Sequence, residues 1–167
     1  MTRGAADYAA SVRIETVGYD HPDSQRLIEA LQQEYVERYG EQDMTPVDPA
    51  EFSQPCGLFL LGYLGEEAVA SGGWRVHDTG EVGFRDGDAE LKRMYVVPAQ
   101  RGNGRSRRML AELESTAALA GCKRLVLETG TKQPEAIGLY LSCGYEPIEN
   151  FGVYRCDPHS RCYGKEL

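Results

Sequence analysis

The sequence predicts an α/β (α+β) protein, a β-sheet with helices on both faces. Three observations carry that prediction. Runs rich in β-branched and aromatic residues alternate with amphipathic helical runs along the chain. A Gly-rich basic loop, Gln100-Arg101-Gly102-Asn103-Gly104-Arg105-Ser106, joins a strand to a helix. The chain has 167 residues, 41% hydrophobic and 26% charged, which is enough for one core without disulfide or metal staples. One domain over residues 1–167 is therefore expected, with residues 1–10 as a short flexible end.

The elements follow in order. Ser11–Tyr19 places Val12, Ile14 and Val17 among polar residues and suits a first strand. Pro22-Asp23-Ser24 is an N-cap signal. Ser24–Tyr39 then carries Leu27, Ile28, Leu31, Tyr35 and Val36 on one helical face, with Glu29, Glu34 and Glu37 outside and Gly40 as the stop. Gly40–Pro55 is rich in Pro and Asp and reads as a loop with a short helix at Pro49–Phe52. It is either a candidate lid over a substrate or a plain connection. Gly57–Tyr63 and Ala68–His77 form a hairpin through Gly65-Glu66, and Gly72-Gly73 predicts a bulge or a close approach. Asp78–Ala89 is a polar loop.

Leu91–Val97 is the central strand. The helix after the Gly-rich loop places Met109, Leu110, Leu113 and Ala117 on one face and stops at Gly121. Arg124–Thr129 is a short buried strand. Pro134 suits the first position of a helix running to Ser142, which Gly144 ends. Tyr145–Glu149 and Cys162–Glu166 can close the sheet as a hairpin.

The Gly-rich loop has the chemistry of an anion site. Glycines let backbone approach a ligand, and the first N–H groups of a helix have no internal partner. Arg101 and Arg105 add charge, and Ser106 adds a hydroxyl. A phosphate or pyrophosphate is the natural guest. The P-loop pattern is absent, because no Lys-Ser or Lys-Thr follows these glycines. The dinucleotide pattern fails at Arg107, where its third Gly belongs.

What fits is R-x-x-G-x-[G/A], as Arg101-Gly102-Asn103-Gly104-Arg105-Ser106, with Ser106 departing at the last position. This resembles the acyl-CoA pyrophosphate loop of the GCN5-related N-acetyltransferases (GNAT). A second stretch, Ala136-x-x-Leu139-Tyr140-x-x-x-Gly144-Tyr145, is similar to that family's strand-helix segment. The resemblance covers Glu90–Tyr145, the expected acyl-CoA-binding and catalytic core. It implies a mixed, mostly antiparallel sheet of six to seven strands, splayed into a V between Leu91–Val97 and Arg124–Thr129. Acetyl-CoA would enter there as co-substrate, with no metal. Its pantetheine arm would pair with the backbone of Met94, Tyr95 and Val96, and its pyrophosphate would sit on Arg101, Gly102, Asn103, Gly104, Arg105 and Ser106. Gln133 stands where the family often has a cofactor-touching Asn.

The resemblance further implies acetyl transfer to a primary amine by direct attack through a tetrahedral intermediate. That demands a base, because an ammonium group is not a nucleophile. It demands a donor to the oxyanion, for which a backbone N–H at Met94 or Tyr95 is the candidate. Tyr140 resembles the residue that protonates the departing thiolate; otherwise it is a core tyrosine. Glu128 ends the apolar run Leu125-Val126-Leu127 and is the first candidate base; otherwise it is a strand-end residue paired to Lys132 or Arg93. Glu90 is the second candidate, and His77 the third. Cys143 lacks a His partner for covalent chemistry.

Composition limits the partners. The net charge of −8 argues against nucleic acid. No apolar run of membrane-spanning length occurs, and the first residues carry no secretory signal. Five cysteines without C-x-x-C suggest reduced thiols in the cytoplasm rather than a disulfide framework or zinc site. The expected acceptor is a small-molecule amine. Acetylation of a protein N-terminus or lysine, or an acyl-CoA sensor without turnover, are the alternatives. A homodimer fits folds of this kind.

Overall fold

The computed structural model describes residues 11–77 and 80–167. The expectation for residues 1–10, and positions 78 and 79 of the polar loop, lie outside the described residues. The described elements are β1 Arg13–Thr16, α1 Pro22–Tyr39, a short 3-10 turn Pro49–Phe52, β2 Gly57–Leu64, β3 Glu67–Val76, β4 Asp88–Val96, α2 Arg105–Leu119, β5 Arg124–Gly130, α3 Pro134–Ser142, β6 Glu146–Ile148 and β7 Ser160–Glu166. The seven strands make one sheet in the order β1-β2-β3-β4-β5-β7-β6. Every neighbouring pair is antiparallel except β4 and β5.

Most boundaries match the sequence pattern, and the start of α1 moves. The helix begins at Pro22, with His21 as its cap: the ring Nδ1 accepts from the Asp23 N–H at 3.1 Å. Pro has no N–H to lose at that position. Ser24 is not the cap; it is buried, and its hydroxyl donates to the Gly18 carbonyl. Two apolar layers cover the sheet. Leu27, Ile28 and Leu31 of α1 pack with Phe52, Phe59 and Leu61 on one face. On the other, Met109, Leu110, Leu113 and Ala117 of α2 pack with Leu60, Trp74 and Leu91, and α3 adds Tyr140.

Two features shape the site. The first is the V. β4 and β5 pair only at Asp88↔Arg124, Ala89↔Leu125 and Glu90↔Val126. Past Glu90, β4 continues along β3 and β5 along β7, so the two strands part. The Arg124 guanidinium grips Asp88 with two bonds of 2.8 and 2.6 Å and fastens the closed end. The second is a bulge. The pairing jumps from Gly73↔Lys92 to Ser71↔Tyr95, leaving Arg93 and Met94 opposite Gly72 alone. Arg93 takes φ +57°, the only positive φ of a non-glycine residue among the described residues. Its carbonyl accepts from the Ser71 hydroxyl at 2.9 Å. The extra residue thus lies on β4, whereas the sequence pattern pointed to β3. The β3 glycines mark close approach instead: a Cβ on Gly72 would stand 2.8 Å from Leu113 Cδ1, and one on Gly73 2.6 Å from Phe59 Cδ2.

Candidate active site

The bulge decides which side chains meet. In a regular strand Lys92 and Arg93 would face opposite sides of the sheet. Here both reach the α1 side and bond the same oxygen, Asp43 Oδ2, at 3.1 and 2.7 Å. Asp43 sits in the Gly40–Pro55 loop. Its main chain is clamped by Gln32 of α1, and its Oδ1 accepts from the Thr45 N–H. Burial opposes its charge, but Lys92, Arg93 and the Thr45 N–H hold the carboxyl well below the usual range.

A cavity of about 220 Å³ opens between these residues and the free arm of the V. The loop contributes Glu41 and Asp43, α1 gives Tyr35 and Tyr39, β4 gives Lys92 to Met94, β5 gives Glu128, and α3 gives Tyr140. The loop is therefore a wall of the site and more than a connection.

Glu128 faces this cavity. Its Oε2 accepts from the Ser160 hydroxyl at 3.2 Å, and no ion pair holds it among the described residues. The pairing to Lys132 or Arg93 considered from sequence is not formed. Burial pushes its carboxyl up to about 7, restrained by the Lys92 charge and the Ser160 bond. Tyr140 is buried, lines the same cavity, and its hydroxyl meets no partner among the described residues without being sealed off. Burial, with Cys143 nearby, raises its phenol above the ordinary value, so it stays protonated. Gln133 lines the cavity and accepts from the Tyr39 hydroxyl at 3.2 Å.

Glu90 has a different environment. It is 3% exposed and does not line the cavity. Arg75 bonds its Oε2 through Nε and Nη2, His77 Nε2 meets the same oxygen, and Lys92 Nζ stands 3.8 Å from Oε1. Burial would raise its carboxyl, but His77, Lys92 and Arg75 together hold it below its ordinary value. Glu128 and Tyr140 line the same cavity, whereas Glu90 and His77 do not line it and belong to an ion network. Sequence reasoning missed Tyr35, Asp43, Lys92, Arg93 and Ser160. The available signal was Lys92-Arg93, two adjacent cations inside an apolar strand.

The Gly-rich loop presents a row of unpaired N–H groups. No backbone N–H from Gly102 to Arg107 finds an acceptor among the described residues, and the α2 cap, Gly104, supplies no side chain. Gly102 and Gly104 have φ +80° and +73°, and nothing stands within 4 Å of where either Cβ would be. Arg105 and Ser106 fall in the first turn of α2 rather than the loop, which aims their N–H groups outward. Arg105 Nε is buried without a partner. Asn103 is exposed beside them. Arg101 differs: its guanidinium grips both Glu34 oxygens at 3.1 and 2.7 Å, its Nε donates to the Val96 carbonyl, and it lies over the Tyr95 ring. Arg101 thus ties the loop to α1, and it occupies the carbonyl of Val96. Met94 lines the cavity, while Tyr95 and Val96 pair with Ser71 and Ala70 of β3 on their other edge.

The site thus combines a mixed sheet opened by a V, an N–H cradle at the start of α2 and a carboxyl that burial pushes up to about 7. The Acetyltransferase (GNAT) family model matches residues 24–145. The chain belongs to that family. It is 32% identical over 142 residues to the IAA acetyltransferase of Azospirillum brasilense, covering 85% of this chain and 89% of the relative. A Klebsiella pneumoniae structure of the acyl-CoA N-acyltransferase class superimposes with a TM-score of 0.75 at 29% identity, over 93% of this chain and 97% of that one. The PaiA N-acetyltransferase of Thermoplasma acidophilum, solved with coenzyme A, shares the fold at a TM-score of 0.68 and 15% identity, over 94% and 99% of the two chains. No helix among the described residues is long and apolar enough to cross a membrane, and they hold no metal-binding cluster of His, Cys, Asp and Glu.

Proposed function

We propose that this acetyltransferase moves an acetyl group from acetyl-CoA to the primary amine of a small molecule, with Glu128 as base and Tyr140 as proton donor. One observation carries the reading: a carboxyl held near 7 and an unpartnered phenol share a cavity beside the open arm of the V. The cavity, about 220 Å³ and walled on one side by the Gly40–Pro55 loop, suits a small acceptor better than a protein, which needs a long groove. The relative named for IAA supports the same choice.

The ammonium gives one proton to Glu128, and its freed lone pair bonds the thioester carbon. A backbone N–H at the Arg93 bulge, from Met94 or Tyr95, stabilises the carbonyl oxygen as it gains charge. The C–S bond then breaks, and the sulfur leaves with its electron pair and takes the Tyr140 proton. Tyr140 recovers a proton from the nitrogen as the amide forms, and the Glu128 proton passes to water. The products are the acetamide, the free thiol of coenzyme A and one proton.

Acetyl-CoA and a panel of amines, with products read by mass spectrometry, test the reading. Acetylation that falls at least about 100-fold in Glu128→Gln is expected. Undiminished turnover in that variant removes Glu128 from the mechanism, and failure of acetyl-CoA to bind overturns the whole reading.

A further inference from the structure

We infer that the acceptor carries a carboxylate beside its amine, as an α-amino acid does, and that Arg93 and Tyr35 are the residues that hold it. The inference rests on the acetyltransferase reading for the amine end and stands on its own geometry for the carboxylate end.

Arg93 is the first observation. A bulky residue at φ +57° is strained, and the strain turns its side chain out of its regular place and into the cavity wall. The side chain is 4% exposed. Its Nε donates to the Tyr19 hydroxyl at 3.3 Å and its Nη1 to Asp43 Oδ2 at 2.7 Å. Nη2 has no acceptor among the described residues, yet it is not sealed in protein. A planar guanidinium fixed on two corners, with its third open to a cavity, suits a carboxylate oxygen.

The second observation is what surrounds it. Lys92 shares Asp43 Oδ2 with Arg93, so two full cations lean on one oxygen. The Tyr35 hydroxyl, on α1, lines the same cavity and has no partner among the described residues. Its phenol is pushed up by burial and by Asp43, which leaves it a donor. Arg93, Lys92 and Tyr35 thus offer N–H and O–H groups to an anion. The lining as a whole holds carboxylates at Glu41, Asp43, Glu128 and Asp157 against Lys92, Arg93 and Lys132. A wall so mixed in sign matches a ligand bearing both signs better than a polycation.

Titration calorimetry in the presence of coenzyme A decides the point without relying on turnover. Each standard α-amino acid is titrated beside its decarboxylated amine and its amide. At least one amino acid is expected to bind tenfold or more tightly than both twins. That ratio should collapse toward one in Arg93→Lys, which keeps the charge for Asp43 but loses the fork, and in Tyr35→Phe, which keeps the ring. Equal or weaker binding of every amino acid, no binding by any, or a ratio that survives both variants overturns the inference. Acetylation of decarboxylated amines as fast as amino acids would overturn it while leaving the acetyltransferase reading intact. Selective amino-acid binding without any acetylation would sustain it and remove the catalytic reading instead.

Discussion

Glu128 makes a thermodynamic demand that can be measured without any substrate. Its carboxyl titrates near 7 in the folded protein against an ordinary 4.5, because burial disfavours the charge. Between those two values the folded state holds its proton more tightly than the unfolded chain. Stability must therefore fall as pH rises through that window. The gap, at about 1.4 kcal/mol per pH unit, sets a ceiling of about 3 kcal/mol. The carboxyl is only partly buried and faces a cavity open to water, so roughly 2 kcal/mol is the working figure. Gln at this position keeps the shape and cannot ionise. The Glu128→Gln variant should therefore gain about 2 kcal/mol on the parent protein between pH 4.5 and pH 8. Urea unfolding of both proteins across that range gives the difference, and titrations elsewhere cancel because the two differ at one site. A difference that stays constant with pH would refute the reasoning: Glu128 would then titrate as an ordinary surface carboxyl and lose its qualification as a base. The same group predicts that kcat/KM of the parent protein rises with pH and bends near 7.

Three further outcomes are expected. Tyr140→Phe should lower kcat by about 10- to 100-fold and leave KM for acetyl-CoA within about twofold, read by the rate of acetylated product. Gly104→Ala should weaken coenzyme A binding by about tenfold in calorimetry. Its Cβ meets nothing in the protein, but the residue is forced to φ +73° and the methyl group enters the N–H cradle. Gly72→Ala should cost about 1–3 kcal/mol of stability by urea unfolding, since its Cβ would press on Leu113 of α2 at 2.8 Å.

The elements were legible because their signals are local. The stripe Met109, Leu110, Leu113 and Ala117 gave α2, and Pro134 with Gly144 gave both ends of α3. The Gly102–Ser106 cradle was legible for the same reason, since its chemistry is backbone and sits within one turn. What the local signal did not carry is the ion pair of Arg101 with Glu34, which spans 67 positions. The choice between Glu90 and Glu128 was not legible. Both are carboxylates next to apolar strand residues, and nothing adjacent in sequence separates them. What separates them is Arg75 and His77 from β3 and its end, and Ser160 from β7. The same distance hid Asp43, which lies 50 positions from the Arg93 it binds. Register also escaped: Gly72-Gly73 suggested a bulge or a close approach on β3, and the structure puts the close approach there and the extra residue on β4.

The ion network behind the cavity follows from that bulge. Buried ion pairs are poor evidence for stability, because desolvation offsets much of their attraction. Arg75, Glu90, Lys92, Asp43 and Arg93 nevertheless form a connected set on one face of β4. Its cations hold Glu90 below its ordinary value, whereas burial pushes the nearby Glu128 up against the pull of Lys92. Glu90 sits inside the set, surrounded by cations, and remains ionised. Glu128 sits just outside it, across the V, with a hydroxyl for a partner, and keeps its proton to near neutrality. Under the proposed mechanism these two carboxyls divide their roles. Glu90 supplies a fixed charge that, with Asp43, occupies Lys92 and keeps it from pairing with Glu128. Had Lys92 been free to do so, Glu128 would be an ordinary ionised carboxylate, too weak a base to hold a proton from an ammonium group. The strained residue Arg93 makes the arrangement possible, since without the extra residue in β4 its side chain would leave this face and Asp43 would lose one of its two cations.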